Sequence, residues 1–324
     1  MMKRIFFLLQ VLMTLQSVYG QMQITIAPFY QDRLAAVSYT FDDGLQDQFT
    51  LARSELNRRG IRSTFAVIGS KVGGIMRSSQ DRQNGTDGTP CMTWDMLRQL
   101  CSEGHEVSSH GWEHRNVTKL SPEALRYEVQ HNDTVIFEQT GHFPRTYFYP
   151  GNAKNDEAVA FCCQDRVGTR TRQVSIGSKR SIRWLNQWID SLLAKGEWGV
   201  GMTHGIAEGY DHFTDPQVLW QHLDYVCTLQ DRLWIAPFCE VAAYGREREN
   251  VQLDIRESDD GITVTPICTL DSTIFSHPLT LRLKGYHAMR AKQGGKELKI
   301  YGDKDCQLVD FNPHGGSIIF VDTQ

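Results

Sequence analysis

Two adjacent carboxylates, Asp42 and Asp43, stand in the run Thr40-Phe41-Asp42-Asp43-Gly44, directly after the apolar stretch 34–39. Such a stretch reads as a buried strand, and ionised carboxylates at its end need a partner, which points to a metal, to catalysis, or to an ordinary turn capping the next helix. A second run, Ser108-Ser109-His110-Gly111-Trp112-Glu113-His114, sets two histidines four apart just after another strand. On a tight turn or helix that spacing puts both imidazoles on one side, where they can share a metal. Two neutral imidazoles and one carboxylate leave a divalent ion with open positions. One Asp of the pair can then bind metal while the other acts as base. A bound metal lowers the pKa of water, so that a carboxylate can take its proton at neutral pH. His204, after the strand-like 198–203, is a candidate acid or a structural histidine.

These residues need a scaffold that gathers strand ends. From Leu34 to about Tyr244 short apolar runs alternate with amphipathic ones, the rhythm of β/α units around a parallel sheet. Strands are expected at 34–39, 64–68, 105–109, 146–149, 198–203 and 233–236, with helices starting at Thr93 and at Ser121-Pro122-Glu123, the latter stopping at Gly141. Six or seven such units predict an α/β fold, a barrel, in which Asp42, Asp43, His110, His114, Tyr149-Pro150 and His204 all fall at C-terminal strand ends. The polar, glycine-rich segment 69–90 reads as an inserted loop that could shape a site. Past Gly245, the charged Arg246-Glu247-Arg248-Glu249 and a series of short strands, with Asp259-Asp260-Gly261 as a hairpin turn, predict a small all-β C-terminal domain.

Composition narrows the function classes. The 324 residues are 40% hydrophobic and 22% charged, with formal charge −4 and no Lys/Arg cluster, which argues against nucleic-acid partners and favours a neutral substrate. Residues 1–20 carry Lys3 and Arg4 before an apolar stretch and small residues near Gly20, the pattern of a signal peptide; its removal leaves a charge of −6. Export, to the outside or the periplasm, is therefore expected, with no membrane span. The eight cysteines include no C-x-x-C and permit either disulfides or buried thiols. Glycosylation sequons stand at Asn84, Asn116 and Asn132. Oligomeric state is not legible.

Taken in order, the Thr40–Gly44, His110–His114 and Met202–His204 motifs resemble those of the polysaccharide deacetylases of the NodB-homology type, the fourth carbohydrate esterase family. The resemblance covers about Ala36 to Tyr244. It implies a distorted (β/α) barrel of about seven units and metal-assisted deacetylation of a carbohydrate. It further implies Asp42 as base, Asp43, His110 and His114 as ligands of a divalent metal such as zinc or cobalt, and His204 as acid. The expected division is residues 1–20 leader, 21–245 barrel and 246–324 β-rich domain. The family's third motif has an arginine before Pro-Tyr or Pro-Phe; here the segment is Phe148-Tyr149-Pro150-Gly151. Arg166, Arg170 or Arg172 could supply that guanidinium to Asp42. Asp165 is the candidate to orient His204. Tyr149, Pro150, Gly151 and Trp112 are candidate substrate contacts, and Tyr210 and Phe213 could also stack on sugar rings. The expected activity is removal of N- or O-acetyl groups; the alternative is a carbohydrate-binding protein on the same fold with weak or lost catalysis.

Overall fold

A computed structural model describes residues 22–322 apart from 78–82, 84–86 and 260, so the expected leader, the Asn84 sequon and part of the Asp259-Asp260-Gly261 turn lie outside the described residues. In chain order the first strands are β1 (Gln23–Ile26), β2 (Ala35–Phe41), β3 (Thr64–Val67), β4 (Ile75–Met76), β5 (Thr89–Pro90) and β6 (Glu106–Ser109). They are followed by β7 (Thr146–Phe148), β8 (Gly168–Arg170), β9 (Val174–Ser175), β10 (Trp198–Thr203) and β11 (Leu233–Ile235).

Eight of these strands form one parallel sheet in the order β8-β7-β6-β3-β2-β10-β9, with β11 pairing the first half of β2. Every residue of β2 is buried, because helices cover one face and the sheet interior the other. The sheet curls into a distorted, open (β/α) barrel. Its opening has a simple cause. Only residues 171–173 separate β8 from β9, and parallel neighbours need a crossover of about a dozen residues. The two strands therefore go to opposite edges of the sheet. The seam between them holds a cavity of about 730 Å³ lined by Thr169, Thr171, Arg172, Trp188 and Trp198.

Local signals set the helices. The Thr93 hydroxyl accepts the Met96 N–H at 3.4 Å to start Trp94–Ser102. Ser121 caps Ala124 N–H at 3.3 Å, and the helical stretch 122–140 ends on Gly141 at φ 76°. Helix Ile182–Lys195 buries Leu185, Ile189 and Leu192 against the sheet. β8 and β9, too short to carry a hydrophobic period, are among the strands that patterning does not reveal.

The C-terminal part is all β: β12 (Val251–Ser258), β13 (Gly261–Cys268), β14 (Leu279–Lys284), β15 (Ala288–Gln293), β16 (Lys296–Leu298), β17 (Ile300–Gly302), β18 (Gln307–Phe311) and β19 (Ile318–Asp322). One sheet runs β12-β13-β19-β15-β16 and the other β1-β14-β18-β17. Strand β1, at the start of the expected barrel segment, thus pairs antiparallel with β14. The charged Arg246-Glu247-Arg248-Glu249 lies within helix Phe238–Asn250. Its Tyr244 joins Ala36 and Trp234 of the barrel to Leu279, Leu281, Phe311 and Phe320 in one buried cluster. All eight cysteines are free thiols, and no described helix is long and apolar enough to cross a membrane.

Candidate metal centre and its proton-transfer groups

β2 ends on Phe41, and the two carboxylates that follow diverge. Asp42 N–H donates to Thr203 O at 3.0 Å, which keeps it in line with the sheet. Its carboxylate, on a residue only 3% exposed, receives a two-pronged bond from Arg170: Nη1 to Oδ1 at 2.7 Å and Nη2 to Oδ2 at 2.5 Å. Arg170 Nη1 also donates to Thr40 Oγ1 at 2.8 Å, and its guanidinium lies 4.0 Å from the Phe148 ring centre. Burial by itself would raise the Asp42 pKa. The charge and hydrogen bonds of Arg170, with help from His110 and His204, outweigh it and hold the carboxyl well below the usual carboxylate range.

Asp43 turns the other way because its backbone is left-handed, at φ 71°, a region Asp tolerates. Its Oδ1 sits 3.5 Å from His110 Nε2 and 3.6 Å from His114 Nε2, and one ligand atom from each of the three residues lies within 4.8 Å of the others. Oδ1 is buried and has no hydrogen-bond partner, which is costly unless a cation satisfies it. His110 Nδ1 lies 2.9 Å from Phe148 O; donating a proton there leaves Nε2 as the free lone pair facing Asp43. Burial lowers the His114 pKa to about 4, so this ring is neutral at physiological pH, the form that ligates. The three donors fit a divalent ion.

The loop that carries His114 does not hold itself. Glu128, fully buried on the following helical stretch, accepts Arg115 N–H at Oε1 (2.8 Å) and Glu113 N–H at Oε2 (3.1 Å), while its own carbonyl accepts Trp112 N–H at 2.8 Å. These bonds hold His114 at φ 62°. Gly111, at φ 81°, is required here, since a Cβ would come within 2.4 Å of Glu128 Oε1. Glu128→Ala is expected to strip the Glu113 and Arg115 N–H groups of their acceptor and lower stability by about 3 kcal/mol in urea unfolding, with Glu128→Gln losing clearly less.

His204 follows β10, and its Nδ1 lies 3.7 Å from Asp211 Oδ2, an ion-pair contact longer than a hydrogen bond. Asp211 is itself tied down, accepting Ser178 N–H at 2.6 Å and the Ser175 hydroxyl at 3.0 Å. Burial pulls the His204 pKa down, but Asp211, Asp42 and Asp43 together raise it above the usual imidazole value.

Other sequence candidates lie elsewhere. Among the three arginines only Arg170 reaches Asp42. Arg166 pairs with buried Asp133, and Arg172 is exposed at the barrel seam. Asp165 is exposed in the turn after helix Asp156–Cys162, far in role from Asp211, which the sequence reading missed. Its one sequence signal is nearness to His204. Tyr149 is 2% exposed, with its hydroxyl on Thr169 Oγ1 at 2.9 Å, and is core rather than a substrate face. Pro150 is buried and Gly151 is exposed at φ 59°. Trp112 is half-buried and packs on His131 with ring centres 4.5 Å apart, whereas Phe213 is 2% exposed and a packing residue.

The polysaccharide deacetylase family model matches residues 31–164. A peptidoglycan-N-acetylglucosamine deacetylase of Listeria monocytogenes is 30% identical over 124 residues, 38% of this chain and 23% of that protein. A gellan lyase of a Bacillus species is 22% identical over 342 aligned residues, 91% of this chain and 13% of that protein. The chain therefore spans less than a quarter of the length of these curated relatives. In structure it resembles a candidate polysaccharide deacetylase of Mycobacterium smegmatis, with TM-score 0.55 and 13% identity over 72% of this chain and 98% of that one, a likeness of fold. By its motifs and the family match, the segment 31–164 is similar to the polysaccharide deacetylases, and the barrel around it has the fold of a solved relative of that kind.

Proposed function

We propose that this protein is an exported, metal-dependent hydrolase that removes acetyl groups, on nitrogen or oxygen, from a carbohydrate. One juxtaposition carries the reading: Asp42 locked by Arg170 next to the Asp43, His110 and His114 cluster, with His204 in the same charge field. Asp43, His110 and His114 would hold the ion, for which zinc is well suited and cobalt compatible. When bound, such an ion polarises an acyl oxygen and makes water more acidic. Asp42, kept ionised by Arg170, takes the proton of the attacking water. Protonated His204 gives a proton to the departing nitrogen or oxygen, so acetate and a free amine or hydroxyl result. The residues of 21–245 carry these groups, and 246–324 buttress the barrel floor in this reading. The absence of the family's third-motif arginine favours the binding-protein alternative; the Arg170 guanidinium on Asp42 supports the catalytic reading instead.

The test is acetate release from chitooligosaccharides, peptidoglycan fragments and acetylxylan, each with and without chelator. Release from at least one, abolished by chelator and restored by zinc or cobalt, is expected. Release from none, or release indifferent to chelator, would sink the reading.

A further inference from the structure

We propose that Tyr210 is a stacking platform for a pyranose ring, a binding subsite beside the position where the acetylated sugar reacts; this rests on the carbohydrate reading above. Tyr210 is 70% exposed, more than any other large hydrophobic side chain among the described residues. It is not a stray loop residue, because its ring meets the His204 imidazole at 5.0 Å between centres and 77° between planes. One part of the ring leans on the candidate acid and the rest faces solvent. The C–H face of a pyranose is apolar and matches an exposed aromatic face, while its hydroxyls stay in water.

The loop is built to hold that ring still. Buried Asp47, on the segment after the carboxylate pair, accepts three consecutive N–H groups, from Ile206 (2.7 Å), Ala207 (2.8 Å) and Glu208 (3.1 Å), on one oxygen. Thr203 Oγ1 donates to Asp211 O at 2.6 Å, and Gly205 N–H to Tyr210 O at 3.2 Å. Buried Ile206 and Phe213 anchor the two ends, joined by Phe213 N–H to Ile206 O at 3.2 Å. A ring fixed before binding spares the ligand the entropy of ordering it.

Wild type, Tyr210→Ala, Tyr210→Phe and Tyr210→Trp are titrated calorimetrically with chitotetraose in the presence of chelator, which stops turnover. Thermal melts show that each variant is folded. Affinity is expected to fall about three- to tenfold in Tyr210→Ala and to stay within about twofold in the Phe and Trp variants, because the ring and not the hydroxyl makes the contact. Equal binding by wild type and Tyr210→Ala, an equal loss in Tyr210→Phe, or no binding of chitotetraose by wild type would each overturn the platform. Acetate release by wild type, measured separately with zinc present, reports on the deacetylase reading. A protein that binds through Tyr210 yet releases no acetate keeps the subsite and loses the chemistry.

Discussion

Asp42→Asn is expected to lower acetate release by about a thousandfold or more while the protein keeps its divalent ion. Asn preserves the shape of the side chain and one acceptor for the Arg170 fork, but it cannot take a proton from water. The cluster that would hold the ion uses the neighbouring Asp43, whose unpartnered Oδ1 faces His110 and His114, so metal content should survive. Measuring turnover together with metal stoichiometry after dialysis separates the two roles. Loss of metal in Asp42→Asn, or near-normal turnover, would reverse or refute the division of labour between the two Asp residues.

Arg170→Gln should act through both stability and pH. It leaves a buried carboxylate with no counter-ion, and removing one partner of a buried pair costs about 3–5 kcal/mol. In wild type the depressed Asp42 pKa contributes stability that is present above the carboxylate pKa of the unfolded chain and is lost as pH falls through the folded value. Without the guanidinium, burial dominates and drives the pKa the other way, so the variant loses stability as pH rises. The gap between the two proteins should therefore be wider at pH 8 than at pH 5 in urea unfolding. The same shift protonates the base earlier, which moves the acid limb of the rate profile to higher pH. An unchanged acid limb in a folded Arg170→Gln protein would argue that Arg170 does not set the state of Asp42. Rescue by Arg170→Lys should be partial at best, since an ammonium cannot reproduce the two-pronged contact.

Much of the architecture was open to reading because it rests on local rules. The all-buried β2, the Thr93 and Ser121 caps and the stop at Gly141 follow from residue type and spacing alone. The short β8 and β9 do not, since two or three residues carry no period. The pairing of β1 with β14 escaped for another reason: its partner lies more than 250 residues away and no local signal names it.

The site divides along the same line. Asp42, Asp43, His110 and His114 are marked in the sequence because each pair sits in one short segment at a strand end, so spacing alone brings them to one face. Which arginine meets Asp42 was a matter of tertiary structure. Arg166 and Arg170 are four residues apart and of one type, yet β8 points Arg170 at Asp42 while Arg166 is consumed by Asp133. Asp211 rather than Asp165 stands by His204 for a like reason, since a left-handed turn and two serines from another segment aim its carboxylate. Tyr149 and Tyr210 show the converse. Both are aromatics near strand ends, and only packing leaves one buried on Thr169 and the other in solvent beside His204. Residue type states what a side chain can do, and spacing within one segment states which neighbours it keeps. The long-range partner that locks a carboxylate, or the packing that leaves a tyrosine in solvent beside an imidazole, is chosen where separate strands end side by side.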